Sequence, residues 1–191
     1  MSIGINLVNK IIERHIEISL NLKSQSQIIE SFCISSLEAL KSGNKILICG
    51  NGGSASDSNH FAAELVGKFE NKDRKSLPAI SLCSNESNIT AIANDFGFEK
   101  IFSKQIEALG SENDILIAIS TSGKSENILK AIKTAESKKM NVLFLTGINR
   151  EKVSSGESYK ILNVGSKNTA RVQEMHILVL HIICHFIDSN I

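Results

Sequence analysis

The chain has 191 residues, 42% apolar and 21% charged, with a formal net charge of +1. That length points to one domain with an ordinary hydrophobic core. The balanced charge excludes a partner held by bulk field, whether nucleic acid or an anionic membrane surface. Four cysteines (Cys33, Cys49, Cys83, Cys184) lie far apart without a CxxC pair, which suits reduced thiols better than a zinc knuckle or a disulfide framework. No apolar h-region precedes a small-residue cleavage site, and no uninterrupted apolar run reaches membrane-spanning length. The default expectation is a cytoplasmic protein.

The first 43 residues read as two helices. Ile5, Val8, Ile11, Ile12, Ile16 and Leu20 fall at helical spacing, as do Ile28, Ile29, Phe32, Leu37 and Leu40, with Gly43 as the stop. From residue 44 the pattern changes to short continuous apolar runs: Ile46–Cys49, Pro78–Leu82, Ile115–Ile119, Val142–Leu145 and Tyr159–Val164. Runs without alternation suit strands covered on both faces, as in parallel sheets. Amphipathic segments separate them at Asp57–Val66, Ile101–Leu109 and Asn127–Ser137, and a last helix spans about Thr169 to Asp188. The chain therefore reads as a single α/β domain, 1–191, with an N-terminal helical segment (1–43) and a core (44–191). The expected fold is a doubly wound, five-stranded parallel sheet of order 2-1-3-4-5. In that order ligands bind beyond the carboxyl ends of strands 1 and 3, where the winding reverses. The loops placed there are Gly50–Ser54 and Ser120–Ser125.

Gly50-Asn51-Gly52-Gly53-Ser54 is a glycine turn opening a helix, suited to close backbone approach by an anion or simply to a tight turn. It loosely fits a dinucleotide fingerprint, but strand 2 ends Ser81-Leu82-Cys83-Ser84, without the acid that would hold a ribose. Ser120-Thr121-Ser122-Gly123-Lys124-Ser125 gathers four hydroxyls and a helix start, a chemistry that wraps phosphate oxygens. A nucleotide P-loop would need glycine at position 118, which is alanine. Ser125 alone could be only a helix cap.

His60 and Glu64, four apart on the helix after the glycine turn, share one face. They are either a metal-binding or acid–base pair or an ordinary surface pair. Their place beyond the switch-point turn favours chemistry. The last helix is apolar nearly all round from Ile177 to Ile183, so it is buried or covered by another subunit. His181 within it is either a satisfied core histidine or a functional one. His15, His176 and His185 read as structural or surface residues.

Taken together, Gly50–Ser54, His60-Phe-Ala-Ala-Glu64, Ala93-Asn94-Asp95-Phe96-Gly97, Ser120–Ser125 and Arg171-Val-Gln173-Glu174-Met-His176 stand in an order that resembles the phosphoheptose isomerases of the sugar isomerase (SIS) domain family. The resemblance covers nearly the whole chain. It implies conversion of sedoheptulose 7-phosphate to D-glycero-D-manno-heptose 7-phosphate, on the way to lipopolysaccharide or capsule precursors, in a cytoplasmic homotetramer with active sites between subunits. It further implies one zinc ion per subunit at His60, Glu64, Gln173 and His181, with Glu64 and His181 as the acid–base pair. Asn51, Gly52, Gly53, Glu64, Asn94, Asp95, Ser120, Thr121, Ser122, Ser125 and Gln173 match substrate-binding positions. Two departures bear on substrate preference: Ala170 where some members carry an acid, and Lys68 where arginine is frequent. Gln173 and His181 are eight residues apart, about 12 Å along a helix, so a shared ion is eased if different subunits supply them. An interfacial site, nearly inactive in a monomer, is therefore expected. A second reading is a non-catalytic SIS adaptor that binds the replication initiator. It has no use for His60, Glu64 and His181 together. An amino-sugar phosphate enzyme would carry an amidotransferase region that this chain lacks.

Overall fold

A computed structural model of the chain describes residues 3–148 and 159–191. Helix α1 (Ile3–Asn21) passes through a 3-10 turn (Leu22–Gln25) into α2 (Ser26–Lys41), which stops before Gly43 at φ +83°. There follow β1 (Ile46–Cys49), α3 (Gly53–Val66), β2 (Ala79–Ser81), α4 (Glu86–Phe96), a 3-10 turn (Phe98–Lys100), α5 (Ser103–Leu109), β3 (Ile115–Ser120), α6 (Glu126–Ser137), β4 (Asn141–Thr146), β5 (Tyr159–Asn163) and α7 (Thr169–Asn190). All strand pairings are parallel, in the order β2-β1-β3-β4-β5, as the run pattern required.

The central strands β1, β3 and β4 are mostly apolar because both faces are covered, and successive residues serve opposite cores. Ile46, Ile48, Ile115, Ile117, Leu143 and Leu162 join the core beneath α2, α3 and α7. Leu47, Leu116, Ala118, Val142 and Phe144 join the one beneath α5 and α6. The β2 run is less buried than its sequence suggested. Ile80 is 36% exposed, because β2 is an edge strand with a neighbour on one side only.

Two features depart from the sequence pattern. The stripe Ile5, Val8, Ile11, Ile12, Ile16 and Leu20 on α1 faces outward, each residue 45–54% exposed, while Ile18 and Leu22 face in. Helix α4 has no long apolar run and buries none of its residues fully. Its signals are local: Asn85 accepts a capping bond from the Asn88 N–H at 3.0 Å, and Gly97 at φ +94° ends it. Helix α7 is long and apolar enough to cross a membrane by composition, and it packs as its all-round apolar sequence implied: Val172, Met175, Val179, Leu180, Ile183 and Ile187 join the core, with Leu178 and Ile182 on its outer side.

Candidate active site

β1 and β3 end side by side, and the two loops sit where the sheet order placed them. In the glycine turn, Gly52 has φ +57°, a conformation costly for other residues. Gly53 has a different role. A Cβ there would lie 2.4 Å from the Gln173 side chain, so the glycine lets α7 approach the first turn of α3. Asn51 and Asn127 exchange two amide hydrogen bonds, Nδ2–H to Oδ1 in each direction, at 3.0 and 2.8 Å. Asn127 is 3% exposed, so this pair ties the glycine turn to the start of α6 and thus to the serine loop.

In the serine loop, Ser125 does stand at the α6 N-cap, but its side chain makes no capping bond. Its Oγ pairs with Ser120 Oγ at 3.0 Å, and Ser122 Oγ lies 3.5 Å from the same atom. Ser122 Oγ also accepts the Lys124 N–H at 3.2 Å. Gly123 at φ +66° turns the chain here, and the Gly147 N–H bonds the Thr121 carbonyl at 3.2 Å. Three hydroxyls thus converge before a helix N-terminus, a grouping able to surround anionic oxygens.

The acid–base candidates meet on α3 and α7. His60 Nε2 lies 3.0 Å from Glu64 Oε1, one turn along α3. The His181 ring on α7 stands edge-on to His60, centroids 5.0 Å apart, with the Phe69 ring 5.5 Å away on another side. His181 Nε2 is buried without a hydrogen-bond partner. Burial and the neighbouring His60 pull the His181 pKa down, partly offset by Glu64, so its imidazole favours the neutral form. Of the two open readings for His181, a satisfied core histidine and a functional one, the unpartnered Nε2 beside His60 favours the second.

Asp57, one turn before His60, belongs to the same face and was missed in the sequence. Its Oδ2 is buried and unpartnered, and burial raises its pKa. The spacing Asp57–His60–Glu64 was the available signal. His176, read as structural, is fully buried, and burial pushes its imidazole down to about 4. His15 and His185 bond Glu174 and Glu70, each at 2.7 Å.

One chain therefore brings His60, Glu64 and His181 together, and holds Gln173 farther along α7 against Gly53. Asn94 and Asp95 are exposed on α4, bonded to each other at 2.8 Å. Two imidazoles, a carboxylate and an amide oxygen form a donor set that suits zinc, and the orphaned His181 Nε2 fits a ligand role. Among the described residues, no three His, Cys, Asp or Glu side chains are drawn close enough to hold one ion.

Comparison with known proteins agrees with this architecture. The SIS domain family model matches residues 12–147. The phosphoheptose isomerase 1 of Campylobacter jejuni is 48% identical over 190 residues, covering 97% of this chain and 99% of that protein. The phosphoheptose isomerase of Helicobacter pylori is 51% identical over 154 residues, 81% and 79% of the two chains. The solved structure of a phosphoheptose isomerase from Francisella tularensis superposes with a TM-score of 0.91 at 35% identity, over 100% of both chains.

Proposed function

The chain belongs to the SIS domain family, and from that membership we propose that it is a phosphoheptose isomerase. It converts sedoheptulose 7-phosphate to D-glycero-D-manno-heptose 7-phosphate through an enediol. The observations that carry this reading are a hydroxyl-lined anion loop following β3 and a carboxylate–imidazole cluster formed by α3 and α7. An adaptor would need the first at most and has no use for the second.

The serine loop holds the phosphate, and this remote grip places the reacting carbons at the helix pair. Glu64 takes a proton from the carbon bearing the terminal hydroxyl and returns it to the neighbouring carbon. His181 gives a proton to the carbonyl oxygen and recovers one from the former hydroxyl. A neutral imidazole can polarise a carbonyl in this way, which agrees with the lowered pKa of His181. Acid–base groups of this kind contribute roughly 10²–10⁴-fold each. We assign a zinc ion to His60, Glu64, Gln173 and His181. When bound, it supplies electrophilic stabilisation of negative charge on the two sugar oxygens.

Self-association belongs to the same proposal. The outward apolar stripe on α1 is the kind of surface that a second copy covers, and the family resemblance points to a tetramer with the exposed Asn94 and Asp95 serving a site between subunits. The protein is assigned to the cytoplasm and to the supply of heptose for surface polysaccharide. The test is incubation with sedoheptulose 7-phosphate, with and without a chelator, following aldose formation. Unchanged ketose in the chelator-free reaction refutes the assignment.

A further inference from the structure

Two contacts between α3 and α7, and a third from the loop that follows α3, fall in register. Gly53 meets Gln173, His60 meets His181, and beyond the end of α3 a buried ion pair joins the following loop to α7. The Arg74 Nε–H donates to Asp188 Oδ1 at 2.6 Å, with side chains 2% and 4% exposed. Asp188 Oδ2 accepts the N–H groups of Glu70 and Asn71, both at 2.9 Å. The rest of the Arg74 guanidinium donates to backbone carbonyls: Nη2 to Glu64 at 2.9 Å, and Nη1 to Leu65 and Lys75 at 2.9 and 2.7 Å.

A buried charge pair is a poor route to stability and often gains nothing over apolar packing. Asp188 also sits near the C-terminus of α7, the wrong helix end for an anion. These local costs ask for a compensating use. The contacts name it. Arg74 grips the backbone of Glu64 itself and caps the end of α3, where a cation is favourable. Asp188 lies two turns beyond His181 on the same face of α7. The two amides it binds follow directly after Phe69, whose ring rests on His181. One ion pair thus fixes the carboxylate backbone, the imidazole helix and the aromatic wall beside that imidazole. We propose that Arg74 and Asp188 are positioning residues for the isomerisation, locking α3 to α7 so that Glu64 and His181 address the same pair of carbons.

This inference rests on the isomerase reading for its kinetic arm and on geometry alone for its structural arm. Asp188→Asn keeps the shape but removes the charge opposite Arg74. Its kcat for sedoheptulose 7-phosphate should fall at least ~10-fold with KM within about twofold, because a displacement near 1 Å costs up to about 10²-fold while the phosphate loop is untouched. Arg74→Lys keeps the charge and loses the fork to Glu64 and Leu65, and should lose kcat by roughly half as much on a logarithmic scale. Two controls separate positioning from general weakening. His185→Ala removes the exposed bond to Glu70 and should leave kcat unchanged. Ile132→Ala destabilises the core on the opposite face of the sheet and should lower the melting temperature without the kcat loss.

A crystal structure of Asp188→Asn should show the His60 and His181 rings moved apart from their 5.0 Å separation and Phe69 withdrawn. Folded variants with wild-type kcat, or a kcat loss no larger than that of Ile132→Ala, overturn the proposal. Should Asp188→Asn fail to fold, Arg74→Lys carries both measurements. If the wild type itself does not turn over the sugar, the isomerase assignment falls. The structural arm then decides alone, and an unmoved ring pair overturns the positioning role.

Discussion

The two ends of the site are built on opposite principles. At the serine-loop end, most polar groups are paired with one another: Ser120 with Ser125, Ser122 with the Lys124 amide, Asn51 with Asn127, with Thr146 Oγ1 beside Gly123 left over. At the reacting end, groups are left wanting: His181 Nε2 and Asp57 Oδ2 are buried without partners. A loop of mutually bonded hydroxyls can exchange those bonds for an anion at little cost. Beside the paired Glu64 and His60, an imidazole held without a partner is the kind of group that moves protons. On the proposed function the first end binds and the second turns over, so damage to the two should separate in kcat and KM.

The largest effect should come from Glu64. Glu64→Gln keeps the side-chain volume and removes the base, and kcat should fall at least ~10²-fold with the fold intact by circular dichroism. Wild-type turnover in that variant would remove Glu64 from its role and erase the contrast between the ends. The complementary change is Ser120→Ala with Ser122→Ala and Ser125→Ala. Each hydroxyl lost from a charged acceptor is worth about 1.5–3 kcal/mol, so KM should rise by tenfold or more while kcat moves less. The comparison breaks if unphosphorylated sedoheptulose competes with substrate as well as its phosphate does in the wild type.

A third test concerns whether the reacting end is complete in one chain. His60, Glu64 and His181 meet within a single subunit, whereas Asn94 and Asp95 are exposed on α4. Ile12→Glu with Ile16→Glu places charge on the outward stripe of α1 and should dissociate the proposed assembly in analytical ultracentrifugation. Activity should fall with it. A fully active monomer would show that one chain suffices.

What the sequence made legible follows burial. Strands covered on both faces announce themselves as apolar runs, and from their order the positions of both loops followed. Helix α4 was invisible because it buries nothing fully. Composition carries no trace of a helix whose stability comes from a cap and a glycine stop. The outward turn of the α1 stripe was equally hidden, since apolar spacing gives a helix and a face but not what covers that face. Within the site, His60 and Glu64 were legible from their i, i+4 spacing. That His181 meets them, while Gln173 meets Gly53 instead, depends on the registry of α3 against α7, which no local pattern encodes. The Arg74–Asp188 pair, 114 residues apart in sequence, lay beyond reach for the same reason.

The smallest effect separates two histidines of α7 that differ in surroundings. His181 faces His60 and Glu64, while His176 is fully enclosed and its pKa is driven by burial from an ordinary 6.5 to about 4. In the unfolded chain His176 binds a proton below about pH 6.5, whereas in the folded protein it does so only near pH 4. The unfolded state therefore holds more protons across that window, and stability must rise with pH through it. The contribution is fully present above pH 6.5 and lost progressively as pH falls towards 4, reaching about 3 kcal/mol. In calorimetry the wild-type melting temperature should drop on the order of 5 °C from pH 7 to pH 4.5. His176→Leu removes the proton-binding ring and should flatten that slope, whatever its effect at neutral pH. An unchanged slope would mean that the acid sensitivity of the fold comes from other groups. The contrast along α7 between an enclosed imidazole and a working one would then lose its thermodynamic support.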